Sequence, residues 1–105
     1  MTIQIGSQIL NVKSCKTFFS RCFGMMGQKK PLSYGLYFPK CKSIHTFFMR
    51  QNIDIVMVDS NHLIVAVYKN AKPWHIFYSK NATACYEFST GILDEVAIGD
   101  LIQIQ

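Results

Sequence analysis

The sequence predicts a mainly β fold with a minor α component. We expect a compact, closed or half-closed β-barrel-like sheet with one N-terminal helix and a short C-terminal helical turn. Three observations carry this expectation. Two apolar runs, Ile53–Val58 and 63–68, flank Asp59-Ser60-Asn61, which is turn chemistry, so together they read as a β-hairpin. Neither run alternates cleanly, so both faces of each strand should be covered; in a chain of 105 residues that suggests a sheet curled on itself. Upstream, Phe18, Cys22 and Met26 recur at i, i+4 and i+8, the stripe of an amphipathic helix.

The elements follow in order. Residues 9–12 form a short first strand, and Ser14 stands where an N-cap would. The helix then runs to Gly27, its stop signal. Gly24 inside it costs about 1 kcal/mol against Ala and marks a close approach to a neighbouring backbone. Residues 34–38 are an aromatic-rich strand ending at Pro39. After the hairpin come a strand over 83–88, a helical turn over 92–96, and an alternating last strand over 101–104. Residues 1–105 read as a single domain with one core containing Ile55, Met57, Val65, Val67 and Phe23. Half the residues are hydrophobic and only 16% are charged, which excludes a disordered chain, and no apolar run is long enough for a membrane-spanning helix.

Charge is placed unevenly. The first 53 residues hold Lys13, Lys16, Arg21, Lys29, Lys30, Lys40, Lys42 and Arg50 and no acid, and all six acids lie at or after Asp54. The net charge is +5. A basic surface for an anion is one reading, and cancellation of the two halves in space is the other. The Lys residues are scattered rather than striped and no nucleic-acid motif is present, so a nucleic-acid partner is not the first expectation. Cys15, Cys22, Cys41 and Cys85 form no C-x-x-C pair. Cys41 and His45 have a metal-like spacing but lack a second ligand pair, so neither metal, cofactor nor disulfide framework is expected. The first ten residues carry no positive charge and do not read as a signal peptide, and a cytoplasmic location is the expectation.

The chemistry-bearing residues cluster after position 44. His45 carries an imidazole that can donate or accept a hydrogen bond. Arg50 offers a planar donor fork. Asp54, beside apolar strand residues, needs a partner, and Arg50 four positions earlier is the expected one. Thr46 adds a hydroxyl without the glycines of a nucleophile elbow. Asp54 and Glu87 are the only plausible carboxylate pair. Trp74 reads either as a core anchor or as a stacking platform, whereas Phe47, Phe48 and Met49 read as core.

The run Ile44-His45-Thr46-Phe47-Phe48-Met49-Arg50, followed by Ile53-Asp54 and an apolar strand, resembles the I-H-T-x-F-M-R segment of DUF192, a small prokaryotic family of unknown function. Arg21-Cys22-Phe23-Gly24-Met25-Met26-Gly27 is similar to its R-x-x-G-L-M-G, and Gly35-Leu36-Tyr37-Phe38 to its G-x-x-F strand. Lys72-Pro73-Trp74 matches K-P-W. Glu87-Phe88-Ser89-Thr90-Gly91 and Ile98-Gly99-Asp100 match the closing motifs. The resemblance covers roughly residues 9–105. It departs at Asn52, where the family has Pro. It implies a compact, mostly β fold with short helices and no established reaction.

The functional expectation is a binding or accessory module with a polar pocket for a small anionic or polar ligand. His45, Thr46, Arg50, Asp54, Trp74 and Glu87 are its candidate residues, and the chain should be a monomer or weak homodimer. The first alternative is a hydrolase with His45 as general base. The second is a weak nucleic-acid binder acting through the basic N-terminal half.

Overall fold

The computed structural model describes residues 1–15 and 30–105. Its nine strands are β1 (Thr2–Ile5), β2 (Gln8–Ser14), β3 (Gly35–Pro39), β4 (Ser43–His45), β5 (Ile53–Val58), β6 (Ile64–Ala71), β7 (Ile76–Tyr78), β8 (Ala84–Ser89) and β9 (Ile102–Ile104). Seven form one sheet in the order β6-β5-β8-β3-β2-β1-β9, and β4 pairs with β7 in a separate ribbon. All pairings are antiparallel except β2 with β3.

The large sheet curls until its two edges meet. Leu63 bridges Leu101, the Ile64 N–H donates to the Asp100 carbonyl at 2.8 Å, and the Ile102 N–H donates to the His62 carbonyl at 2.9 Å. This gives the half-closed barrel expected from two-sided burial. Every residue of β5 and of β8 is buried. Strand alternation sorts their side chains into two layers. Inside the curl lie Ile3, Val12, Val56, Val58, Ile64, Tyr86, Phe88 and Ile102. On the outer face lie Leu36, Phe38, Ile55, Met57 and Cys85, covered by Ile44, Met49 and the partly buried Phe77 of the ribbon region. The single core expected from sequence is therefore two layers, one on each side of the sheet. Ile55 and Met57 are fully buried, whereas Val65 and Val67 are only half-buried.

Several elements differ from the sequence expectation. Among the described residues there is no helix: the expected helical turn over 92–96 is irregular chain beside the barrel. Its backbone is held by a side chain instead, for Gln8 donates to the Ile92 carbonyl and accepts from the Asp94 N–H, both at 2.8 Å. The expected N-terminal helix, with Phe23 and Gly24, lies outside the described residues. Ser14, expected as its cap, ends β2 opposite Tyr37. Strand β1 was not expected. Its Thr2-Ile3-Gln4-Ile5 alternates polar and apolar, and a two-residue turn at Gly6-Ser7, with φ +59° at Gly6, pairs it with β2.

The hairpin of β5 and β6 stands as predicted. Asp59 Oδ1 accepts from the N–H groups of Asn61 and Leu63 at 2.8 and 3.1 Å, which fixes the turn. Gly35 answers a packing demand. A Cβ there would collide with the Phe88 ring, lying 2.6 Å from Cδ1 and closer still to Cε1.

Candidate functional site

Asp54 belongs to the fold's framework. Between Ile53 (opposite Ala71) and Ile55 (opposite Tyr68) the β6 chain carries an extra residue, a β-bulge. Asn70 sits there at φ +57°, and the buried Asp54 carboxylate receives its N–H at 2.8 Å. The cation beside Asp54 is Lys69, with Nζ 3.1 Å from Oδ2, rather than the expected Arg50. Sequence spacing pointed to Arg50 because it is the nearest cation along the chain. Strand pairing brings Lys69 closer, and Arg50 is exposed.

Glu87 is also buried, in the middle of β8. Register sets it opposite Ile55, while Asp54 sits opposite Phe88. Adjacent positions on a strand project to opposite faces, so the two carboxylates lie on different sides of the sheet and form no acid–base pair. Glu87 instead faces the outer layer. There its charge, after burial itself, helps push the Cys15 thiol above its ordinary value.

The His-Thr segment and the Lys-Pro-Trp segment come together. Thr46 is fully buried. Its Oγ1 donates to the Lys72 carbonyl at 2.7 Å and accepts from the His75 N–H at 2.9 Å. In an ordinary turn the first carbonyl would take the N–H three residues on. Here the threonine hydroxyl is inserted between them and closes the Lys72-Pro73-Trp74-His75 turn from the neighbouring chain. The Thr46 backbone completes the junction. Its N–H donates to the His75 carbonyl at 2.8 Å, and its carbonyl accepts from Trp74 at 2.9 Å and Met49 at 3.2 Å. Thr46 thereby joins two turns, 46–49 and 72–75.

Each turn presents an aromatic side chain from a backbone position that ordinarily suits glycine. Phe48 has φ +62° and Trp74 φ +69°. Both are 60% exposed, and their rings meet edge to face at 4.7 Å. Phe47 stacks on Trp74 at 5.9 Å and lies 5.1 Å from the His45 ring. His45, at the end of β4, accepts the Phe47 N–H through Nδ1 at 3.3 Å and is exposed. Along the ribbon Ile76 and Tyr78 are 67% and 60% exposed. Of the six candidates, then, His45, Thr46 and Trp74 converge and Arg50 follows directly after the first turn. Asp54 and Glu87 belong to the main sheet.

Sequence reasoning placed Phe48 in the core and did not find strand β7. The alternation of Ile76-Phe77-Tyr78 was the available signal for β7. No local signal announces that a Phe sits at positive φ. Two grooves occur elsewhere, one lined by Gln4, Gln8, Asp94, Glu95 and Asp100, the other by Thr2, Asn11, Lys13, Ser33 and Tyr34. No candidate residue lines either. Among the described residues no group of His, Cys, Asp and Glu is arranged to hold a metal ion.

The electrostatics of this end are one-sided. Segments 40–50 and 72–80 contribute Lys40, Lys42, Arg50, Lys72 and Lys80 and no acid. Lys42 Nζ donates to the Lys80 carbonyl at 2.8 Å, which joins the two segments at the ribbon's far end. Exposed acids, Asp94, Glu95 and Asp100, lie against the β1–β2 turn instead. The charge asymmetry of the sequence thus survives, in part, in space.

Comparison with known proteins bears on the family. The DUF192 model, described as Uncharacterized ACR, matches residues 1–104. A UPF0127 protein of Thermococcus sibiricus is 36% identical over 100 residues, covering 87% of this chain and 64% of its own length. UPF0127 protein PH1112 of Pyrococcus horikoshii is 34% identical over 73 residues, covering 66% of this chain and 63% of its own. The chain therefore spans just under two thirds of the length of these relatives. Among solved structures, a protein of unknown function from Novosphingobium aromaticivorans aligns with TM-score 0.83 at 14% identity, over 98% of this chain and 84% of its own. One from Sinorhizobium meliloti, described as a candidate transcription regulator, aligns with TM-score 0.82 at 17% identity, over 97% and 91%. These two likenesses speak to the curled-sheet fold. The family match runs along nearly the whole chain and takes in both segments that Thr46 joins, and on that ground the protein belongs to the DUF192 family, whose function is uncharacterised.

Proposed function

We propose that this domain is a binding module whose working surface is the aromatic and basic end of the β4–β7 ribbon, and that it takes an anionic ligand with a flat or apolar part. One observation carries the reading: two large aromatic side chains, Phe48 and Trp74, are held in solvent from positive-φ turns by a buried threonine. Non-glycine residues in that region cost about 1–3 kcal/mol each and persist where surrounding structure over-determines them, which is a recurrent feature of ligand clamps. The neighbouring Arg50 and Lys72, from segments that hold no acid, supply attraction for negative charge. The surface is open rather than enclosed, so the ligand is expected to lie across it.

A hydrolytic reading has less behind it. Among the described residues His45 has no acid or hydroxyl partner, and Asp54 and Glu87 lie on opposite faces of the sheet.

Trp74 is the chain's only tryptophan, so its fluorescence reports on this surface directly. Titration with inorganic polyphosphate should change its emission saturably, and added salt should weaken the effect. Arg50→Gln with Lys72→Gln should weaken the response while leaving the melting temperature close to that of the parent. An emission spectrum indifferent to polyphosphate at millimolar concentration would refute the proposal.

A further inference from the structure

We infer that the ligand of this surface is single-stranded nucleic acid, with bases stacking on Trp74 and Tyr78 and phosphates running between the cations at the two ends of the ribbon. The inference rests on the binding-surface reading above and names its partner.

The register of the ribbon sets the geometry. Ser43 lies opposite Tyr78 and His45 opposite Ile76, while Ile44 and Phe77 between them turn inward to the outer core layer. The outward side is therefore continuous from Tyr78 through His45 to the Phe47, Trp74 and Phe48 rings. From Trp74 to Tyr78 the chain spans at most about 13 Å, the extended limit at about 3.3 Å per residue, since Trp74 lies in the turn that precedes β7. Cations bracket that distance. Lys42 and Lys80 are tied together at the Tyr78 end, and Lys72 and Arg50 flank the Trp74 end. Exposed rings interleaved with positive charge along an open strand surface are what a flexible polyanion with unstacked bases can use.

A duplex cannot supply the same match, because its bases already stack on one another. A bilayer is less well suited. The outward rings of His45, Trp74 and Tyr78 each carry a polar atom, and His45 and Tyr78 lie along the ribbon, apart from the Phe48–Trp74 contact at its end.

The test is fluorescence anisotropy of an end-labelled twelve-nucleotide oligothymidylate. The same-length duplex, polyphosphate, and vesicles of phosphatidylserine and phosphatidylcholine are run alongside. The single strand should bind more tightly than the duplex. Trp74→Ala and Tyr78→Ala should each weaken it about ten-fold or more, with the salt dependence unchanged. Lys72→Gln should instead lower the slope of log K against log salt by about 0.7. Both aromatic positions are exposed, so circular-dichroism melts should confirm that the variants fold.

Equal binding of single strand and duplex, insensitive to the aromatic changes, would overturn the inference in favour of a plain cationic surface. Vesicle binding without oligonucleotide binding would overturn it in favour of an anionic membrane. If polyphosphate perturbs Trp74 and the oligonucleotide does not bind, the inference falls while the binding surface stands. If neither ligand acts, both fall.

Discussion

Thr46→Val tests the junction on which the proposed surface depends. Valine keeps the shape of threonine and removes only the hydroxyl. That hydroxyl makes two short hydrogen bonds, to the Lys72 carbonyl at 2.7 Å and from the His75 N–H at 2.9 Å. Each is worth about 1 kcal/mol net. The abandoned groups belong to exposed residues and can turn to water, so the full penalty of a buried orphan should not apply, and a loss of about 2 kcal/mol is expected. In a domain of this size that lowers the melting temperature by about 8 °C or more. Thr46→Ser is the matched control: it keeps the hydroxyl and loses one buried methyl, for about 1 kcal/mol. Urea denaturation of the two variants and the parent gives the ranking. Acrylamide quenching of Trp74 gives the second readout. In Thr46→Val the 72–75 turn loses its closure, so Trp74 should become more accessible than in Thr46→Ser. If the valine variant is as stable as the parent and the serine variant is the weaker, Thr46 acts through packing, and the hydroxyl-bridged turn is not what holds Trp74.

Three further outcomes follow from the fold. Gly35→Ala should destabilise by about 1–3 kcal/mol, because the new methyl must displace the Phe88 ring inside the barrel; an unchanged urea midpoint would show that the ring moves freely. Asp54→Leu and Lys69→Met should show positive coupling in a double-mutant cycle, since the carboxylate is buried at the β6 bulge beside that ammonium; additive losses would mean the pair contributes nothing. Burial, with Tyr37 adding to it, raises the Tyr86 hydroxyl far above the ordinary phenol value of 10.0. The unfolded chain therefore ionises first, so stability is full below about pH 10 and declines as pH rises above it. Tyr86→Phe should blunt that decline. It should also leave neutral-pH stability equal or slightly higher, because the buried phenol oxygen has no hydrogen-bond partner among the described residues.

Reading His62 shows where local reasoning stops. A residue beside a turn ordinarily stands in solvent, yet His62 is half-buried, with Nε2 enclosed and its ring 6.4 Å from Tyr37. Nothing in Asp59-Ser60-Asn61-His62 announces this, because the Tyr37 ring beside it and the Ile102 N–H on its carbonyl come from distant strands.

What the sequence determined by itself was everything governed by neighbours along the chain. The β5–β6 hairpin follows from two apolar runs around an Asp-Ser-Asn turn. The two-sided burial of β5 follows from a run that does not alternate, whereas β6, expected to be covered likewise, mixes buried with half-buried and exposed residues. The family follows from linear motifs. Tertiary structure decided what depends on residues brought from afar. Lys69 rather than Arg50 lies beside Asp54 because cross-strand pairing at a bulge overrides spacing in sequence. Asp54 and Glu87, which could have been partners in one cleft, are separated by a one-residue offset in register that sends them to opposite faces. Cations that look scattered in the sequence collect at one end because the β4–β7 ribbon joins two distant acid-free segments. Phe48 and Trp74 became a surface instead of core because Thr46 supplies, from 26 residues away, the hydrogen bonds that hold the Trp74 turn. Chain patterning encodes burial and period, and only the folded chain sets which of its distant groups meet.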